Sequence, residues 1–192
     1  MRPLLLTDIE SIPAYEAQRD ITRRRIIALK KQRRVTLGPR VSLVFENWDT
    51  MKFQVQEMCR IEHISEPRLV QQEIDVYNDL LPEGRAVGAT LLIELVQTDD
   101  MPAILRDLSG LEEAVYLRFG SREIHAEAER GRSTEEKTST VHYLTFRFES
   151  DDPRELADAG QVGLALEHPN YRHHALLAKE TVVSLVQDLL TQ

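Results

Sequence analysis

Residues 35–46 read VTLGPRVSLVFE, and NWDTMK follows at 47–52. β-Branched and apolar residues flank Gly38-Pro39, which predicts two short strands joined by a turn. Asp49 or Thr50 then supplies an oxygen side chain able to cap a helix running to about Ile64. A hairpin thus passes directly into a helix, and the remaining chain is read outward from that junction.

Upstream, Thr7 with Glu10 fits a capping box, and Pro13 sits where a helix start tolerates it. Tyr15, Thr22, Ile26 and Leu29 recur along one stripe, predicting an amphipathic helix over residues 14–34. Downstream, Ser65 and Pro67 restart a helix through Leu81 that stops at Pro82 and Gly84. The run VGATLLIELV (87–96) is apolar throughout, as in a strand covered on both faces. Asp99-Asp100 precede a short helix to about Leu108, ended by Gly110. Strands are expected at 114–119, 123–129 and 140–149, with a tight turn at Gly120-Ser121 and a mobile, exposed hairpin tip over 131–139. A short helix capped by Asp152, a strand over 162–168 and an amphipathic helix over 173–190 complete the reading. The expected class is α+β: an N-terminal helical segment packed on a mainly antiparallel sheet with flanking helices. A single domain over 1–192 is expected, with sub-lobes 1–84 and 85–192 as the alternative division.

The 192 residues are 42% apolar and 29% charged, an ordinary globular balance that excludes collagen-like and fully disordered classes. Cys59 is the only cysteine, so no intrachain disulfide can form, and a cytoplasmic setting is expected. The start MRPLLLTDIE is too short for a secretory apolar region, and no run approaches the roughly 20 apolar residues of a membrane span. Charge is uneven: residues 19–34 carry eight cations and one acid, giving +7 within a chain of −8 and leaving −15 elsewhere. That segment could grip nucleic acid or an acidic partner, or be a solvated helix face beside the protein's own acids. It contains no aromatic residue on which a base could stack, so nucleic-acid binding is the less favoured reading.

No Gly-rich phosphate loop, H-E-x-x-H, C-x-x-C or G-x-S-x-G occurs. Several carboxylates instead fall among apolar neighbours. Glu73 sits at the centre of the apolar arc of its helix. Glu62 falls between Met51, Val55 and Met58, with Glu57 in the wider arc. Glu94 shares a strand face with Thr90, Leu92 and Val96. His142 alternates with Leu144, Phe146 and Phe148, and His168 follows Val162, Leu164 and Leu166. A buried carboxylate requires a partner or loses its charge. Glu73, Glu94, His142 and His168, supported by Glu57 and Glu62, are therefore the candidate ligands for iron or another divalent metal. The same groups could form an acid–base pair, or simply find hydrogen-bonding partners such as Arg25, Arg60, Tyr77 and Tyr143. Asn47 and Trp48 lie in a connection where turn and cap chemistry competes with a binding loop.

The stretches VFENWDT (44–50), MKFQVQEMCRIE (51–62), YNDLLP (77–82), ATLLIEL (89–95), VHYLTF (141–146) and EHPNY (167–171) resemble a bacterial family, domain of unknown function 3501, over nearly the whole chain. Matching positions include Glu46, Asn47, Gln54, Glu57, Met58, Glu62, Tyr77, Asn78 and Glu94. The resemblance brings no assigned catalytic residues. Its genomic company implies an accessory or interaction role beside rubrerythrin or an iron–sulfur oxidoreductase, in peroxide or redox-iron handling. A metal-binding protein or small metalloenzyme is the alternative, and nucleic-acid binding through residues 19–34 the third.

Overall fold

Pro13 pre-sets helical φ in the first turn of α1 (Ile12–Gln32), which presents Tyr15 and Ile26 to the interior. The Thr7–Glu10 box does not start this helix; a 3₁₀ turn over Leu6–Asp8 precedes it instead. In the computed structural model, which describes residues 1–97, 99–129, 131, 133, 138–149 and 152–191, the hairpin β1 (Arg34–Leu37) and β2 (Val41–Phe45) follows at once. Most of the expected hairpin tip at 131–139 lies outside the described residues. Asn47, rather than Asp49 or Thr50, caps α2 (Trp48–Ile61): its side chain accepts from the Thr50 amide at 3.1 Å. Pro67 opens α3 (Pro67–Asn78).

Side-chain amides tie the N-terminal segment to these helices. Asn78 accepts from the Leu4 amide at 2.8 Å and donates to the Leu4 carbonyl at 3.0 Å. Gln56 repeats this device on Glu10, with both bonds at 2.9 Å. Each amide mimics a strand partner and satisfies a backbone unit that would otherwise be stranded. Leu4, Met51, Val55, Cys59 and Ile74 are buried together here, forming a helical core. The Arg2 guanidinium covers the Trp48 ring at 4.4 Å.

The expected single sheet is two antiparallel sheets. β3 (Ala86–Ile93) and β7 (Val141–Arg147) extend the hairpin into the order β1-β2-β3-β7-β6, where β6 is Glu127–Ala128. The second sheet runs β5-β4-β8-β9, from β4 (Val115–Phe119), β5 (Arg122–His125), β8 (Val162–His168) and β9 (Tyr171–Leu176). β5 and β6 are one run of chain that serves both sheets. Tyr116 is paired with His125 in one and Glu127 with Thr145 in the other, while Ala126 between them donates to the Val115 carbonyl at 2.9 Å.

The helix expected over 173–190 is instead β9 followed by α6 (Lys179–Leu190). Tyr171 explains the difference. Its hydroxyl donates to the Leu37 carbonyl at 2.7 Å and accepts from the Arg40 amide at 2.9 Å, holding β9 beside the β1–β2 turn. Gly38 there has φ +73°, and a Cβ would meet the His173 ring at 2.5 Å, so the turn needs glycine on both counts.

Inner-facing Leu43, Phe45, Leu91 and Phe146 of the first sheet share a core with Leu117, Phe119, Leu164 and Leu166 of the second. Leu185 and Leu189 of α6 and Leu156 of α5 (Asp152–Asp158) join it, with Leu108 after α4 (Met101–Asp107). No helix among the described residues is long and apolar enough to cross a membrane.

Candidate functional site

The outer face of the first sheet lies beneath α1 and α2, and strand register sets what it offers. Val44, Thr90 and Tyr143 form one row across β2, β3 and β7, while Leu92 and Val141 pair in the next. Alternation places Glu46, just past β2, on the same side as Val44, and its amide continues the pairing by donating to the Gly88 carbonyl at 2.8 Å. With Ile26, Ile27 and Lys30 of α1 and Phe53 and Gln54 of α2, these residues enclose a pocket of about 580 Å³. That lies within the size range of small-molecule sites.

Glu46 is the acid of the pocket lining, beside Lys30, Lys31 and Arg34. It is 2% exposed, so its carboxylate has exchanged water for protein partners. Its Oε1 accepts from the Thr90 hydroxyl at 2.9 Å and lies 3.4 Å from Lys30 Nζ. Its Oε2 has no hydrogen-bond partner among the described residues. An unpaired buried carboxylate oxygen costs free energy and calls for an explanation.

Beside it runs a second polar string. Arg33 is fully buried and donates to the Phe45 carbonyl at 2.7 Å, the Glu46 carbonyl at 3.1 Å and Ser184 Oγ at 2.5 Å. Its counter-ion is Asp188 at 2.5 Å. Burial pushes the Asp188 carboxyl up, while Arg33 and the Asn47 side chain pull it back. This string fixes the backbone that carries Glu46.

The sequence-derived candidates separate. Glu94 lies past the end of β3, exposed, accepting from Ser42 at 2.6 Å and from Arg34 at 2.7 Å; these bonds, Ser42 foremost, hold its carboxyl low. His168 points inward as expected, but both ring nitrogens are engaged, Nε2 with the Ser109 carbonyl at 3.0 Å and Nδ1 with the Asn170 amide at 3.3 Å. His142 is also inward. Its Nε2 contacts Thr138 Oγ1 at 2.8 Å, and its Nδ1 lies 3.8 Å from Glu112.

Glu57 binds Arg19 through two bonds of 2.8 and 2.9 Å, Tyr15 at 2.7 Å and Arg60 at 3.2 Å. Arg19 in particular holds the Glu57 carboxyl down to about 2. Glu73 is half-buried and Glu62 is exposed at the end of α2, and both act on Tyr77 and Cys59. Burial first, then Tyr143 and these acids, pushes the Tyr77 hydroxyl up to about 12. Among the described residues no group of three or more His, Cys, Asp and Glu side chains is arranged to hold a metal ion.

Five of the eight cations over residues 19–34 are already matched by the chain's own acids: Arg19, Arg25, Lys30, Arg33 and Arg34. Thr90, Lys30 and the role of Glu46 escape a reading based on carboxylates inside apolar periods. Glu46 follows five buried strand residues and precedes a cap, so it resembles a turn acid. Its only signal is its place on the family's motif, with Gln54.

Two antiparallel sheets flanked by helices define an α+β protein, with a pocket of about 580 Å³ between α1, α2 and the outer face of the first sheet. The chain belongs to the family described as protein of unknown function (DUF3501), whose model matches residues 3–189. It is similar to the crystal structure of a novel protein of unknown function from Burkholderia pseudomallei K96243. The two are 33% identical with a TM-score of 0.90, over 97% of this chain and 99% of that one. No curated protein matches the chain.

Proposed function

We propose that this protein is an accessory protein that holds a small organic ligand in the pocket between α1, α2 and the first sheet. One observation carries the reading: Glu46, 2% exposed, lines the pocket with one carboxylate oxygen left without a donor. An apolar cleft with a small number of placed polar groups is the arrangement of a small-molecule site. Val141→Trp places an indole in the pocket from a half-buried position. Native mass spectrometry of protein purified from its own cells should show a retained small molecule that this variant loses. Unchanged masses in both proteins would defeat the reading.

The family resemblance supports placing this accessory role in a rubrerythrin-type peroxide or redox-iron system. A cytoplasmic setting fits a chain whose single cysteine, Cys59, is buried and has no intrachain partner. Affinity purification from native cells should recover rubrerythrin or an iron–sulfur oxidoreductase. Repeated recovery of neither would remove that context and leave the ligand site standing.

A further inference from the structure

The C-terminal helix carries a second apolar stripe that the fold leaves largely uncovered. One face of α6 places Thr181, Leu185 and Leu189 in the core. At about 100° per residue, Val183, Val186 and Leu190 fall within about 60° of one another, about 130° round the helix from that face. Val183 is 47% exposed and Leu190 69%. Lys179 stands on the same line, so the stripe runs Lys179, Val183, Val186, Leu190. Steps of four, three and four are the seam spacing of paired helices.

A groove of about 660 Å³ runs along this stripe. Its far wall is built from small residues, Ala157 of α5 with Ala159 and Gly160 beyond it, and a Cβ on Gly160 would meet nothing within 4 Å. Leu176, 64% exposed at the end of β9, extends the apolar surface. Apolar surface of this kind gains free energy when a matching surface takes the place of water.

Two properties select the occupant. The spacing four, three, four is the same read in either direction. A second α6 running antiparallel therefore sets Lys179 against Leu190 and Val183 against Val186, each seam residue meeting another. Charge favours the same direction. Lys179 opens α6 at the positive end of its own helix, and in the antiparallel pair it lies beside the negative end of the second copy's helix. A parallel pair would bring two lysines together instead.

We infer that α6 is the seam of a two-fold homodimer, each copy's α6 lying antiparallel in the other's groove. The seam is separate from the pocket beneath α1 and α2, and neither depends on the other.

Sedimentation velocity over a concentration series tests this. The native protein should pass from monomer to dimer as concentration rises. Val183→Glu should weaken the dimer at least about tenfold, because the two-fold sets two carboxylates among apolar side chains. Leu190→Gln, at a still more exposed position, should act in the same direction and serves if the first variant loses its native circular dichroism. Gln187 also lines the groove, and the antiparallel register brings it within about one turn of the second copy's Lys179. Lys179→Glu and Gln187→Lys, both at exposed positions, should each weaken association and together restore it. Within one chain these positions are about 12 Å apart along the helix, so rescue reports the contact between copies. A native protein that stays monomeric at millimolar concentration overturns the inference, as does a dimer that Val183→Glu and Leu190→Gln leave intact. Weakening by these variants without rescue by the charge pair overturns the antiparallel seam.

Discussion

Arg33 Nη2 lies 2.5 Å from Asp188 Oδ2, an ion pair joining residues 155 positions apart and linking the end of α1 to α6. The neighbouring backbone reinforces it. Gln32 Nε2 donates to the Glu180 carbonyl at 3.1 Å, and Thr181 Oγ1 donates to the Gln32 carbonyl at 2.7 Å. Because Arg33 also holds the carbonyls of Phe45 and Glu46, the C-terminal helix bears on the backbone that carries Glu46 into the pocket wall.

Arg33→Ala therefore removes a buried cation and strands Asp188 with two carbonyls. The expected loss is about 3–5 kcal/mol, the range for breaking a buried pair from one side. Urea denaturation reads it directly; a loss below about 1 kcal/mol contradicts the assignment.

Glu57 provides a pH test. Its carboxyl is held to about 2 in the fold against an ordinary 4.5, chiefly by Arg19. A depressed folded value means the stabilisation is complete above about pH 4.5 and drains away as pH falls towards 2. Asp8, lowered to about 2 by Arg2, adds a parallel contribution in the same window. Melting temperature should fall across that interval. Glu57→Gln should flatten the slope while lowering stability by about 2 kcal/mol at neutral pH.

Gly38→Ala separates backbone strain from collision. The left-handed φ alone costs an alanine about 1–2 kcal/mol, and displacing the His173 ring costs more. In a double-mutant cycle with His173→Ala, the ring component should disappear and the backbone component remain. Additive single effects would mean the ring moves freely.

His168→Ala should destabilise the protein by about 2 kcal/mol, because both ring nitrogens serve the fold. Elemental analysis of protein purified without chelator should show the same metal content with and without the substitution. A stoichiometric metal lost on substitution would restore His168 as a ligand.

How much the sequence discloses depends on whether the signal is local. α1 through α3 are legible because prolines and apolar stripes act within a turn or two, although the caps expected for α1 and α2 fall on other residues. The inward faces of His142 and His168 follow from two-residue alternation, which survives any sheet order. β9 is not legible: YRHHAL becomes a strand only through pairing with β8 and the Tyr171 hydroxyl's hold on the distant turn. The strand VGATLLIELV ends at Ile93 rather than running to 96, which carries Glu94 out of the buried set and onto Arg34. The pocket is the least visible feature, since its floor is a row of three residues from three strands, none adjacent in sequence.

The run from Arg122 to Ala128 has one further consequence, for how the molecule comes apart. A segment shared as an edge by both sheets gives neither of them an independent boundary, so peeling it from β7 also loosens it from β4. Loss of either sheet uncovers the apolar side chains of the other, and the whole β assembly melts as one cooperative unit.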